Sequence, residues 1–445
     1  MSTIINLIIL VVFTLYAITI FKPSFSNKRL FALPDKAGYS YQMNAQMYFL
    51  TFIVCTAPVF LGQFSLLKYG VYFAILIYLL VIKKIKLKID LIAGSYLIFY
   101  SWLIITCFYA DITVDTFTLL IKYLIPILSL WLGYSSIESH YDLFFFSKAT
   151  LKTCAIYAFI IGGFSAVFMP WLYYSPFGNG IFLTYAGLAD YFTSLFVVPL
   201  VWYWITGKRI GLWIAAWLLL SAILESVRTG LGGIALASCF FAFFRYKLKS
   251  VPFIIVLAAG FIASILFIPS INEKFFGTNA GKVGAQAIIA GDGLRLDNIQ
   301  TSGRDYLWNL CLKKYHDPDP ILGSGLGTVT HFLKERAIRE NTIALLHSDY
   351  VQLLCDCGNV SIILLAFFFL CVIIKVFYYT WVTHANIWIV ISGIMAISSL
   401  AGVAFSMGFD NVVSHSMTSL INPFIFTGFF LKFIDLAKDG QLSQQ

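Results

Sequence analysis

The sequence predicts an all-α, polytopic membrane protein, on three observations. Its 445 residues are 60% hydrophobic and only 11% charged, with a mean hydropathy of +0.86. Apolar runs of roughly the 20 residues that a bilayer span needs recur along the whole chain. The basic residues fall in short clusters between those runs, as in the loops of a membrane protein. A net charge of +9 dispersed in this way sets topology. It offers no clustered soluble patch, so nucleic acid is excluded as a partner.

The apolar windows lie near 4–21, 47–64, 66–82, 91–109, 117–134, 151–170, 184–205, 210–224, 229–244, 251–268, 358–379, 386–408 and 416–434. They predict about 12–13 transmembrane helices by the 20-residue criterion. The first window lacks a basic stretch before it and a small-residue cleavage site after it, so it reads as a retained span. The eight cysteines are scattered. Cys355 and Cys357 form only a CxC with no second pair for a tetrahedral metal site, so no metal and no cofactor is expected.

Orientation follows from the cytoplasmic excess of Lys and Arg. Lys22, Lys28, Arg29 and Lys36 follow the first window, and Lys83 to Lys88 follow the third. Lys148 and Lys152, Lys208 and Arg209, then Arg245, Lys247 and Lys249, and finally Lys375 continue the alternation. Every cluster follows an odd-numbered window. The expectation is a cytoplasmic C-terminus and an outer N-terminus.

Residues 1–268 then hold ten transmembrane helices, and 347–445 hold the last ones. Between them, 269–346 is far longer than the roughly 15 residues beyond which a loop is functional or disordered. Its apolar spacing predicts short amphipathic helices on the outer, periplasmic side.

Four features converge on that side. LESVRTGLGGIALA puts Arg228 in an outer turn before Gly230, Gly232 and Gly233. It reads either as a lipid-phosphate anchor or as an anion site, because a guanidinium beside glycine-rich backbone can approach a phosphate closely. TSGRDYLWNLCLKKY puts Arg304 and Asp305 at the start of a helix, with Ser302 as N-cap and Trp308 on its apolar side. DPDPILGSGLGTVTHF carries Gly323, Gly325 and Gly327, a tight turn bringing the loop back to the membrane. It lacks the GKS or GKT of a phosphate loop. HSDYVQLLCDCG places His347, Tyr350, Leu354 and Gly358 on one helical face, with Asp349 and Asp356 beside them.

Two arginines can neutralise a pyrophosphate leaving group by bidentate contacts, and a histidine can take a proton from an attacking hydroxyl. A multispan protein can admit a donor whose lipid tail stays in the bilayer. The reaction that fits is glycan transfer from a polyprenyl pyrophosphate to a sugar hydroxyl. Asp410 and His415 stand by as a reserve acid and base.

These four segments, in this order, resemble the superfamily of O-antigen polymerases (Wzy-type) and O-antigen ligases. ESVRTGLGGIAL looks like the family's SR-containing segment, SGRDYLW like its GR-x-x-x-W stretch and PILGSGLGT like its P-x-x-G-x-G turn. HSDYVQLLCDCG is similar to its HN-x-Y-L-x-x-x-x-E-x-G signature. The resemblance implies that Arg228 and Arg304 hold the pyrophosphate and that His347 is catalytic. It puts Tyr350, Asp356 and Gly358 at the flanking motif positions. It further implies inverting, metal-independent transfer with undecaprenyl-pyrophosphate-linked glycans as donor and acceptor. Ser348 departs from the usual Asn, and Val227 from the usual Ser.

Chain length and the outer loop at 170–183 favour a polymerase over a ligase acting on lipid A-core. Trp171, Tyr173, Tyr174 and Phe177 there can stack on sugars or form an interfacial belt. Membrane lipids and a chain-length regulator are the further partners expected. A transporter or flippase is the rival class. It predicts matching broken halves and ionisable residues at mid-membrane, for which Lys122 is the one strong candidate, with Pro126 four residues on. No halves repeat.

Overall fold

The computed structural model describes residues 44–58, 65–81, 87–110, 112–158, 185–224, 228–267, 304–340, 345–383 and 385–442. The first apolar window, the aromatic loop with Tyr173 and Tyr174, and Ser226, Val227 and Ser302 lie outside them. Among the described residues the chain is helical and contains no strand. Four helices there are long and apolar enough to cross a membrane: Val114–Ser136, Leu188–Thr206, Asp349–Val382 and Ile387–Phe409. The chain is an all-α polytopic membrane protein.

The first half of the chain gives α1 (Ala45–Thr56), α2 (Ser65–Val81), α3 (Leu91–Thr106), α4 (Val114–Ser136) and α5 (His140–Tyr157). Thr113 and Thr116 form a capping box at the start of α4. A second box, Ser139 with Asp142, starts α5 well before the apolar window at 151. That corrects the expected boundary, because a cap sets a helix start where hydropathy alone cannot. The window 184–205 becomes two helices, α6 (Tyr185–Leu195) and α7 (Val197–Thr206). Pro199 has no N–H to give the carbonyl four residues back, so the ladder breaks at that junction. Then come α8 (Ile210–Leu224), α9 (Arg228–Tyr246) and α10 (Val251–Phe267). Phe253, Ile255 and Val256 on α10 face outward, as in a helix against lipid.

Two short helices, α11 (Arg304–Cys311) and α12 (Thr328–Glu340), follow, and then α13 (Asp349–Phe377), α14 (Ile387–Phe409) and α15 (Ile421–Lys438). α9 packs along α14, α14 along α15, and α15 along α4, while α3 lies against α13. Small residues let these backbones approach. A Cβ on Gly133 of α4 or Gly428 of α15 would run into the other helix's backbone. Gly233 on α9 is closed in by Thr193 and Gly402, and Gly232 by the Phe405 ring. These glycines serve helix packing. They form no phosphate-approach loop, so only Arg228 of that segment keeps an anion-binding reading.

α13 is interrupted. Gly358 adopts φ 67° and ψ −175°, a conformation essentially confined to glycine. The break deprives the preceding carbonyls of their helical partners, and each finds another. Cys355 O accepts from Ser324 N at 2.9 Å and Asp356 O from Gly325 N at 2.6 Å. Cys357 O accepts from Trp102 Nε1 at 2.9 Å. Asn359 N donates to Pro320 O at 2.8 Å. The glycine turn 323–327, all three glycines at positive φ, is therefore docked into the helix break. The Asp356 carboxylate completes the clasp by accepting from Gly327 N at 3.1 Å and Val329 N at 2.9 Å at the start of α12.

A methyl group at Gly358 would overlap the Ile321 carbonyl. Gly358→Ala should therefore lower stability by at least the ~1–3 kcal/mol of a forced backbone conformation. Thermal unfolding in detergent and proteolysis of the 320–327 turn read it. An unchanged melting temperature and cleavage pattern would count against the clasp.

Candidate active site

His347 is held from both sides. Before it, Leu346 O accepts from Trp308 Nε1 at 2.7 Å, which ties α11 to the approach to α13. After it, Ser348 caps α13, its hydroxyl accepting from Val351 N at 3.3 Å. Ser and Asn are equally good N-caps, so Ser348 fills the position where the related motif carries Asn. His347 itself sits at φ 55°, in the left-handed region. It precedes the helix and does not ride on its face with Tyr350 and Gly358, which corrects the single-face expectation. A non-glycine residue held there is strained, and such strain collects at functional sites.

The imidazole reaches across to the end of α14. Its Nδ1 lies 3.3 Å from Asp410 Oδ1. Asp410 Oδ1 also accepts from Asn411 N at 2.8 Å, and Asp410 N donates to Ser406 O at 2.8 Å. Burial acts to raise the Asp410 carboxyl. The His347 hydrogen bond, the Asn411 amide and attraction to His347 and Arg304 outweigh it and hold the group below the ordinary carboxylate range. A carboxyl lowered on folding contributes stability above its unfolded pKa and loses it as pH falls through the folded one. Acidification to about pH 4, the ordinary Asp value, leaves this link intact.

Arg304, the first residue of α11, donates from Nη1 to Phe409 O at 2.6 Å, one residue before Asp410. It caps the C-terminal, negative end of α14. Burial pulls its pKa down and Asp410 opposes this; a guanidinium stays charged regardless. Arg228, the first residue of α9, stands within electrostatic range of Arg304. Helix starts at α9 and α11, the end of α14 and the approach to α13 thus bring Arg228, Arg304, His347 and Asp410 together. Lys375, paired with Asp90 at 2.5 Å, marks the opposite end of α13.

Other expected contacts are taken up by the protein itself. Asp356 is fully buried as the clasp described above. Asp349 is 1% exposed and its Oδ2 accepts from Val413 N at 3.1 Å. Tyr350 Oη donates to Ala404 O at 2.7 Å, pinning α13 to α14. Trp308 holds Leu346. These four position the histidine, and their polar atoms are not open to a substrate. Asp305 is exposed on the first turn of α11. Lys122 lies in a separate cavity.

Asp410, ranked only as a reserve acid by sequence, is the partner of His347. His415 is pushed down in pKa by burial, with Asp410 opposing, and so is a neutral imidazole near pH 7. Sequence reasoning passed over Asp190, 1% exposed in α6, although an aspartate inside an apolar window is itself a signal. Its carboxyl lies beside the Ser406 hydroxyl and within electrostatic range of Asp410.

A polytopic helical bundle thus gathers two guanidiniums, an imidazole and a carboxylate at one end, a set whose positive charge suits an anion and whose imidazole can accept a proton. The O-antigen ligase family model matches residues 210–366, from the start of α8 into α13. This match bears out the resemblance to the O-antigen polymerase and ligase superfamily, and it spans Arg228, Arg304 and His347. No curated protein matches the chain.

If Asp410 orients and polarises His347, Asp410→Asn should leave the protein folded and lower turnover by about 10²–10⁴-fold, the range of a lost general base. The rate in reconstituted membranes checks this. Wild-type turnover in the variant would remove Asp410 from the site.

Proposed function

We propose that the protein joins lipid-linked oligosaccharide repeat units into a surface polysaccharide such as O-antigen. The observation that carries this is the His347–Asp410 pair set beside Arg304 and Arg228. The donor is a glycan on undecaprenyl pyrophosphate, and the acceptor is a second lipid-linked glycan, both with their lipid tails in the bilayer. Arg228 and Arg304 bind the pyrophosphate by charge-assisted hydrogen bonds and supply the positive charge that the departing group needs.

With Nδ1–H directed at Asp410, the His347 tautomer leaves Nε2 free as a base. Nε2 takes the proton of the acceptor hydroxyl as its oxygen attacks the anomeric carbon. The bond from that carbon to the pyrophosphate oxygen breaks, and undecaprenyl pyrophosphate leaves with the electron pair. Attack opposite the leaving group inverts the anomeric centre. The two arginines meet the need for positive charge without a metal ion.

The positive-inside pattern supports an inner-membrane location with this site on the periplasmic face, since Lys375 lies at the other end of α13. Because each transfer leaves a longer lipid-linked chain at the site, a separate chain-length regulator is a natural partner. The rival reading is transfer to lipid A-core, favoured by the name of the matching family.

His347→Ala and Arg304→Ala should each abolish chain growth while the protein remains in the membrane at normal level. Full-length polymer from either variant would end the catalytic assignment. A deletion strain examined by gel separates the two readings. Single repeat units still attached to the core, with the ladder lost, mean polymerase; loss of all attached glycan means ligase.

A further inference from the structure

A cavity of about 110 Å³ lies between α4, α12 and the two segments that carry the catalytic pair. Leu346 and Asn411 line it. The first precedes His347 and the second follows Asp410, so the cavity and the pair share walls. At roughly 30 Å³ per water it holds three or four waters. That is room for one substituent of a sugar and not for a lipid-linked diphosphate.

Two donors on its walls lack acceptors. Lys122 extends from α4 and, among the described residues, its ammonium has no hydrogen bond or ion pair; Asp349 and Asp115 act on it only at longer range. Asn411 is 3% exposed, and its side-chain Nδ2 has no acceptor among the described residues. A half-buried ammonium and a buried amide N–H, both without partners among the described residues, are costly unless something fills the space between them. What they can share is an anion.

The charge around the cavity selects the kind of anion. Lys334, the other cation on its wall, is already bound to Asp115. Among the described residues, one uncommitted cation flanked by two carboxylates suits a single negative charge and disfavours a doubly charged phosphate. The contrast is with Arg228 and Arg304, two forked cations beside one carboxylate.

We propose that this cavity takes the carboxylate of an acidic sugar, a uronic acid residue of the acceptor glycan, through an ion pair with Lys122 and a hydrogen bond from Asn411. The inference rests on the glycan-transfer reading. Holding that carboxylate one residue from His347 and Asp410 would bring a neighbouring hydroxyl of the acceptor to the base.

The test is binding of glucuronate to the purified protein in detergent, followed by saturation-transfer NMR, with glucose and inorganic phosphate as comparison probes. Glucuronate should bind and glucose should not. Lys122→Met and Asn411→Leu should each weaken glucuronate about tenfold or more, as expected for a hydrogen bond to a charged group. Lys122→Arg should retain binding, and so should Arg304→Ala. Glucuronate binding no better than glucose, phosphate binding equally well, or binding that survives Lys122→Met would overturn the proposal. Binding requires no turnover, so the two readings fail separately. Absent glucuronate binding with an inactive His347→Ala removes only the carboxylate site. Active His347→Ala with intact glucuronate binding removes the catalytic reading.

Discussion

The break in α13 at Gly358 is the constraint on which the rest depends. An apolar bundle leaves no water to satisfy backbone groups, so each carbonyl freed by the break must find a protein donor. The glycine turn and Trp102 supply the donors, and the Asp356 carboxylate accepts from the amides of Gly327 and Val329. In doing so they fix residues 320–329 against α13 and set where α12 begins. With α12 and α11 fixed, Trp308 reaches Leu346, and His347 is held in a left-handed conformation just outside the cap of α13. The imidazole that does the proposed chemistry is thus placed by interactions well removed from it.

The second consequence concerns charge. Two arginines and two carboxylates near one end of a membrane bundle are unstable company unless they pair. Arg304 donates to the carbonyl end of α14 and lies within electrostatic range of Asp410. Asp410 in turn pairs with His347 and attracts Arg304 from a greater distance. On the proposed reading, this carboxylate links proton acceptance to pyrophosphate binding.

Much of this was legible in the sequence. The all-α membrane fold followed from hydropathy, and the turn in PILGSGLGT followed from its glycines. Arg228, Arg304 and His347 were singled out by residue type and order, and the structure brings them together. What was not legible has physical reasons. Periodicity extended the helix of Tyr350 back through His347, because a left-handed residue before an N-cap leaves no trace in hydrophobic spacing. Asp349 and Asp356 looked like substrate contacts, because a carboxylate that caps backbone amides and one that meets a ligand are the same letter. The glycines after Arg228 suggested phosphate approach, whereas Gly232 and Gly233 admit α14. Asp410 was underrated because its partner lies 63 positions away, a separation that only the tertiary fold closes.

The claim that His347 and Asp410 act as one unit is tested most directly by a double-mutant cycle on the initial rate of glycan transfer in reconstituted membranes. If they do, the variant carrying both His347→Ala and Asp410→Asn should be no slower than His347→Ala alone. A double variant whose loss equals the product of the two single losses would show that the residues act independently, and would contradict the account.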